Sequence, residues 1–250
     1  MIVVVPMAGR GSRFAGHAGD LPKPLVPVAG RPMVRWALDS LAGLDPSLVV
    51  FVALAEHDAR FGLGRLLREW APPGRTEVVW LDDVTEGQLC TVLAARAFID
   101  ADEDLLVASC DTHVRSRLGR DVARRDPHCR GLISVASMRG DHWSFARLGD
   151  DGHVVEVAEK VRISEWASTG LYHFSSGREF VSIGQEMVDG GERTRGEFYV
   201  IPVYGRYIER GLQVDVSVAG EVWDMGTPAG AAAFEEHVSA GAQAAEGPRG

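Results

Sequence analysis

The segment Pro6-Met7-Ala8-Gly9-Arg10-Gly11-Ser12-Arg13-Phe14 follows directly on an apolar run at the start of the chain. Its glycines permit a sharp turn that brings backbone N–H groups close to an anion. Arg13 adds a planar, permanently charged fork suited to phosphate oxygens. Two familiar phosphate signatures do not match. A P-loop places Lys-Ser/Thr after its last glycine, and the dinucleotide fingerprint needs a third glycine where Phe14 stands. A second segment, Leu21-Pro22-Lys23-Pro24-Leu25, holds an ammonium between two prolines that restrict the backbone on both sides. Taken singly, the glycines read as a structural turn and Lys23 as a solvated loop lysine. Together they predict a phosphate-handling site with Ala8, Gly9, Gly11, Arg13 and Lys23 on it.

The carboxylates form a second group. Asp111 closes the apolar run Leu105-Leu106-Val107-Ala108-Ser109-Cys110, and ligands gather at the C-terminal edge of open α/β sheets. Asp224 stands in Val222-Trp223-Asp224-Met225-Gly226. An isolated aspartate at such a point is commonly a turn or helix cap, whereas two hard oxygen donors suit Mg²⁺. Thr85-Glu86-Gly87 reads as a capped helix start. Glu159-Lys160 follows an alternating strand, where surface charges are unremarkable.

The elements that must carry these residues alternate in the first half of the chain. Strands are predicted over residues 2–5, 48–54, 77–81 and 105–109. Helices are predicted from Pro32 onward, where Met33, Val34, Ala37, Leu38 and Leu41 share a face, and over 56–70 and 87–98. Strand–helix–strand units of this length imply a mostly parallel sheet flanked by helices, the Rossmann-like α/β class. The second half is richer in strand (132–138, 144–148, 154–158, 169–174), with helices expected over 177–188, 198–210 and 228–238. One domain is expected over residues 1–238. Residues 1–130 would be its alternating strand–helix half and 131–238 its β-rich half, with 239–250 a flexible tail.

Composition narrows the class of partner. The net charge of −9 comes without a run of Lys or Arg, so the electrostatic footprint of a nucleic-acid groove is missing. No apolar run approaches the roughly 18–20 residues needed to span a bilayer. The opening residues read as a buried strand and not as the apolar core of a signal peptide. A cytoplasmic protein without membrane partner is the expectation. Cys90, Cys110 and Cys129 show no spacing that suggests a metal knuckle or disulfide framework. The oligomeric state is left open, a homo-oligomer included.

Gly9-x-Gly11-x-Arg13, Pro22-Lys23-Pro24 and Gly30-x-Pro32-Met33, read together, resemble the signature of the sugar-phosphate nucleotidyltransferases, which include the glucose-1-phosphate thymidylyltransferases. The likeness is nearest to a short Pro-Met-Ala-Gly-x-Gly-Ser-Arg-Phe branch associated with polysaccharide and natural-product biosynthesis, and runs from Pro6 to Phe234. It implies that residues 1–130 are the nucleotide-binding half and 131–238 the acceptor-binding half, that the glycine loop holds the triphosphate and base, that Arg13 and Lys23 contact phosphates, and that Glu86 and Gly87 lie against the base. It makes Asp111 and Asp224 the Mg²⁺ ligands, and carries Glu159 and Lys160 to the acceptor, though Val161 stands where that family has proline. Gly170 and Glu197 fall in acceptor-side segments and Trp143 where an acceptor approaches, while Tyr172 and Tyr199 are expected to pack. The implied reaction is attack by an acceptor phosphate oxygen on the α-phosphorus of an NTP, with release of pyrophosphate. CTP is the first expectation, then dTTP or UTP. The acceptor is expected to be a sugar 1-phosphate, with a non-sugar phosphate or phosphonate as the alternative. A glycosyltransferase is disfavoured because its usual Asp-x-Asp is here a single aspartate, Cys110-Asp111-Thr112-His113. A non-catalytic nucleotide sensor is disfavoured because both aspartates are present.

Overall fold

Successive residues of the first strand feed two different cores. Ile2 and Val4 pack with Leu48, Val50, Val52, Leu105 and Val107, whereas Val3 and Val5 pack with Val49, Phe51, Ala53, Leu106 and Ala108. Side chains alternate across a strand, so apolar runs without polar gaps mark strands covered on both faces. In the computed structural model, which describes residues 1–245, these runs form the middle of the sheet.

In chain order the elements are β1 (Ile2–Pro6), β2 (Pro27–Val28), β3 (Arg31–Pro32), α1 (Met33–Asp39), β4 (Leu48–Leu54), α2 (Ala55–Phe61), α3 (Leu63–Trp70), β5 (Arg75–Leu81), α4 (Gln88–Leu93), α5 (Arg96–Ile99) and β6 (Leu105–Ala108). There follow β7 (Thr112–Arg115), α6 (Leu118–Arg124), β8 (Cys129–Ser137), β9 (Ser144–Leu148), β10 (Val154–Glu159), β11 (Trp166–Phe174), α7 (Gly177–Asp189), α8 (Pro202–Glu209), β12 (Gln213–Val218), β13 (Glu221–Asp224) and α9 (Pro228–Ala245). β5, β4, β1 and β6 are parallel neighbours in that order. β11 runs antiparallel to β6, and β8, β9, β10 and β12 extend the sheet beyond it. The chain steps from β1 to β4 on one side and returns to β6 on the other. The C-terminal ends of β1 and β6 therefore flank the crevice where such sheets take ligands.

Several boundaries differ from the sequence reading for identifiable reasons. The helix expected over 56–70 is two helices, because Gly62 sits between them at φ +63°. The helix expected from 198 starts only at Pro202, because residues 196–199 form a loop against the 85–88 turn. The helix expected to end at 238 runs to Ala245, so residues 239–245 are helical and not tail; residues 246–250 of the expected tail lie outside the described residues. The β7–β13 pair was not legible, since four residues with one polar face carry too little pattern. Among the described residues, no helix is long and apolar enough to cross a membrane.

Candidate active site

Gly11 takes φ +61°, and a Cβ there would lie 2.8 Å from the Cβ of Lys23. The glycine loop is thus seated directly on the Pro22-Lys23-Pro24 turn, and any side chain at position 11 would displace the lysine. Beneath both lies a third apolar cluster, Phe14, Val26, Val28, Met33, Met225 and Phe234, which also includes the neighbour of Asp224. Packing of these residues ties the glycine loop, the lysine turn and the end of β13 into one base.

From that base Lys23 Nζ donates to Asp111 Oδ2 at 2.5 Å. Each side chain is about one-fifth exposed, at 21% and 20%. Burial opposes charge on both groups, but their mutual attraction outweighs it. The lysine is held well above its ordinary range, with Asp224 adding to the effect, and the Asp111 carboxyl is held below its own. Asp224 reaches the same spot because its strand pairs with β7: Asp224 lies opposite Thr112, and the Met225 N–H donates to Asp111 O at 2.8 Å. A Cβ added to Gly226 would lie 2.9 Å from Asp111 Oδ2 and 2.9 Å from Asp224 Oδ1, which places these oxygens no more than twice that distance apart. Burial and then the charge of Asp111 push the Asp224 carboxyl up. Two partly buried carboxylates converging on a space that a methyl group would fill are a donor set of the kind Mg²⁺ takes, with phosphate oxygens and water as further ligands. Cys110 beside them is a buried thiol pushed up to about 12 by that burial, which leaves it protonated and unreactive at neutral pH.

The cleft in front of this group encloses about 710 Å³. Ala8, Gly9, Gly11, Lys23, Glu86, Gly87, Asp111 and Glu197 all line it. Its far wall is one unit made from two distant loops. Gly87, at φ +146°, leaves no room for a side chain against the Phe198 backbone. The Phe198 N–H donates to Glu86 O at 3.0 Å, and the Leu89 N–H donates to Phe198 O at 3.0 Å. The Glu86 carboxylate is paired with Arg193, whose guanidinium lies 4.3 Å from the centre of the Phe198 ring.

Other expected residues sit differently. Arg13 is exposed at the rim and outside the lining, although its charge is felt at Asp111 and Asp224. Lys160 meets the cleft through Tyr199, to whose phenol oxygen it donates. Glu159 is buried below it, bonded to Ser144 and pushed up chiefly by burial. Trp143 lies outside the lining: its indole N–H donates to Arg139 O at 2.8 Å and its ring lies against His142. Gly170 is also behind the wall, where at φ +84° it abuts Ser109 and accepts the Ser109 N–H at 2.9 Å. Its place in the site is to seat Ser109, which does line the cleft.

Tyr172 is buried as expected, but Tyr199 is not a packing residue; it lines the cleft beside Glu197. Arg193 was also missed. One signal in composition pointed at the site more sharply than any motif: of 26 Lys and Arg residues only two are lysines, Lys23 and Lys160.

An open sheet whose loops at the C-terminal ends of parallel strands enclose a cleft with a lysine–carboxylate group defines a nucleotide-binding α/β protein of the nucleotide-diphospho-sugar transferase fold. Residues 3–169 match the MobA-like NTP transferase domain, and the chain belongs to that family. The structure of a nucleoside-diphosphate-sugar pyrophosphorylase from Vibrio cholerae RC9 superposes with a TM-score of 0.81 at 27% identity, over 94% of this chain and 99% of that one. The bifunctional protein GlmU of Paramagnetospirillum magneticum is 29% identical over 81% of this chain and 44% of its own length, so the chain spans less than half of that relative. The CMP-5'-(3-aminopropyl)phosphonate synthase of Streptomyces rubellomurinus is 40% identical over 105 residues, 41% of this chain and 16% of that protein.

Proposed function

We propose that this chain is a Mg²⁺-dependent nucleotidyltransferase that transfers NMP from an NTP to a phosphorylated small molecule and releases pyrophosphate. The observation that carries this reading is the Lys23–Asp111 pair with Asp224 alongside, set at the junction of the glycine loop and the cleft. The glycine-loop amides would hold the triphosphate, and Arg13 at the rim would neutralise departing pyrophosphate. Lys23 and Lys160 would draw the two anionic partners together. An acceptor phosphate is already ionised at neutral pH, so the chain needs no general base. Its work is alignment and charge neutralisation. Asp111 and Asp224 would hold Mg²⁺, which when bound would supply charge stabilisation at the α-phosphate and acceptor phosphate.

CTP is the first choice of nucleotide and a sugar 1-phosphate the first choice of acceptor, with a phosphonate as second reading. The 105-residue likeness to a synthase of a CMP-phosphonate supports CTP and favours that second reading. The likeness to the pyrophosphorylase supports the sugar. A cytoplasmic location fits such substrates.

Mass spectrometry of products settles both questions. The enzyme, Mg²⁺ and each NTP are incubated with a pool of sugar phosphates, amino-alcohol phosphates and phosphonates. A nucleotidyl adduct with stoichiometric pyrophosphate is expected. Nucleoside diphosphate released from an added nucleotide sugar would instead identify a glycosyltransferase, and tight NTP binding with no adduct would identify a sensor.

A further inference from the structure

Lys160 leaves β10 in a left-handed turn at φ +55°. Its backbone is fixed: the amide donates to Trp143 O at 2.8 Å, and the carbonyl accepts from Arg195 Nη2 at 3.0 Å. The side chain beyond is four carbons long and would sample many rotamers if left in water. One residue takes up that freedom. The ammonium donates to the Tyr199 phenol oxygen and lies 4.4 Å from the ring centre. Tyr199 is itself held by its neighbour, because Phe198 is bonded through both its N–H and its C=O to the 86–89 segment. The acceptor-side lysine therefore takes its position from a ring that hangs on the nucleotide-side loop.

We propose that Tyr199 is the positioning residue for Lys160, fixing its ammonium at the junction of the nucleotide and acceptor halves of the cleft and thereby setting the efficiency with which an acceptor is used. This rests on the reading that Lys160 meets the acceptor phosphate. The phenol oxygen supplies an acceptor for one of the ammonium protons, and the ring edge lies beside the cation. The geometry leaves the remaining ammonium protons for a ligand.

The presence of only two lysines makes a test possible without chemistry. With lysine labelled by ¹³C at Cε, the protein gives two Cε–Hε signals, assigned by Lys23→Arg and Lys160→Arg. The Lys160 signal is expected away from its free position in the native protein, because the side chain is held beside an aromatic ring, and at its free position in Tyr199→Leu. An unmoved Lys160 signal in Tyr199→Leu would overturn the contact, whatever reaction the enzyme performs. In turnover, Tyr199→Phe is expected to lower kcat/KM for the acceptor about tenfold, the worth of one charge-assisted hydrogen bond, with KM for the NTP unchanged. Lys160→Met and Lys160→Met/Tyr199→Phe should then be equal within about twofold, since a residue acting through Lys160 has nothing left to position. Multiplying effects in the double variant, or an unchanged acceptor kcat/KM in Tyr199→Phe, would overturn the proposal. Absence of turnover in the native protein with every substrate pair would instead count against the proposed function, and the labelled-lysine result would still decide the contact.

Discussion

Replacing Lys23 with methionine keeps the length and most of the volume of the side chain while removing the cation bonded to Asp111. The carboxylate would then remain about four-fifths buried, with the Asp224 carboxylate converging on the same Gly226 cradle. Breaking a buried pair by removing one partner costs about 3–5 kcal/mol, because the other charge is left uncompensated. One-fifth exposure of each group places this pair at the low end, about 3 kcal/mol. For a chain of this size each kcal/mol shifts Tm by about 2–4 °C, so Lys23→Met should melt about 6–12 °C below the native protein at pH 7.5. The cause is checked by a second change. Asp111→Asn in the Lys23→Met background removes the stranded charge and should restore most of the loss, a coupling of about 2–3 kcal/mol in the double-mutant cycle. Differential scanning calorimetry on the four proteins, without added metal, reads both quantities. A Lys23→Met Tm within about 2 °C of native, or a double variant no better than Lys23→Met, would refute the assignment of Lys23 as the compensating charge of Asp111. Turnover reads a separate property: Lys23→Ala should lose at least about a hundredfold in kcat if the ammonium also meets phosphate, a loss within the range of removing one preorganised charge-stabilising donor.

Three further expectations bear on the same site and its support. Gly226→Ala would put a methyl group 2.9 Å from an oxygen of each aspartate, and should weaken Mg²⁺ affinity about 10–100-fold by isothermal titration calorimetry. Millimolar Mg²⁺ should raise the Tm of the native protein by mass action and leave Asp111→Asn and Asp224→Asn unmoved; equal rises in all three would remove these residues as ligands. His173 is fully buried, Asp104 lies 3.4 Å from its Nε2, and burial outweighs that partner to hold the imidazole below its usual range. A base with a depressed folded pKa is neutral in the fold and takes a proton on unfolding, so its share of stability is full above about pH 6.5 and is lost as pH falls toward the folded value. The Tm drop between pH 7.5 and pH 5.5 should shrink in His173→Gln, and an unchanged drop would assign the acid sensitivity elsewhere.

Runs of apolar residues made the centre of the sheet legible. Residues 48–54 are a strand with the expected ends, and 105–108 fall one residue short of the expected run. Both are buried on two faces, so their own composition determines their place. The glycine loop and the lysine turn were legible because prolines and glycines restrict local conformation whatever surrounds them. Elements that owe their form to tertiary partners were not. β7 and β13 exist because each is the other's partner, and the loop over 196–199 stays non-helical because Phe198 is bonded to the 86–89 segment. Sequence order separates Glu86 from Arg193 by more than a hundred residues, and no local pattern announces that pair. Nor does any local pattern distinguish Tyr199, in the cleft, from its buried neighbour Phe198.

A chain of net charge −9 is an unexpected host for the two anionic partners proposed for it, and the arrangement of the cleft bears on how it would hold them. Long-range attraction is weak in such a protein because the summed field repels anions. Recognition then has to come from charges at bonding distance, where burial lowers the local dielectric and strengthens each contact. Lys23 stands between Asp111 and the glycine loop, Lys160 rests on the phenol and ring of Tyr199, and Arg193 is engaged by Glu86. Each of these cations is held by an acceptor whose position is fixed by backbone hydrogen bonds or by strand pairing. That bracing keeps the charges from turning into solvent, and in the case of Lys23 it keeps a buried ammonium ionised. The choice of lysine at only two positions among 26 basic residues has a physical reading in the same terms. An ammonium is a compact point charge with rotatable donors, able to bond a protein acceptor and a ligand oxygen at once, whereas a guanidinium presents its donors as a rigid fork in one plane. Arg193 keeps that fork on Glu86, whereas Lys23 and Lys160 bring the point charge.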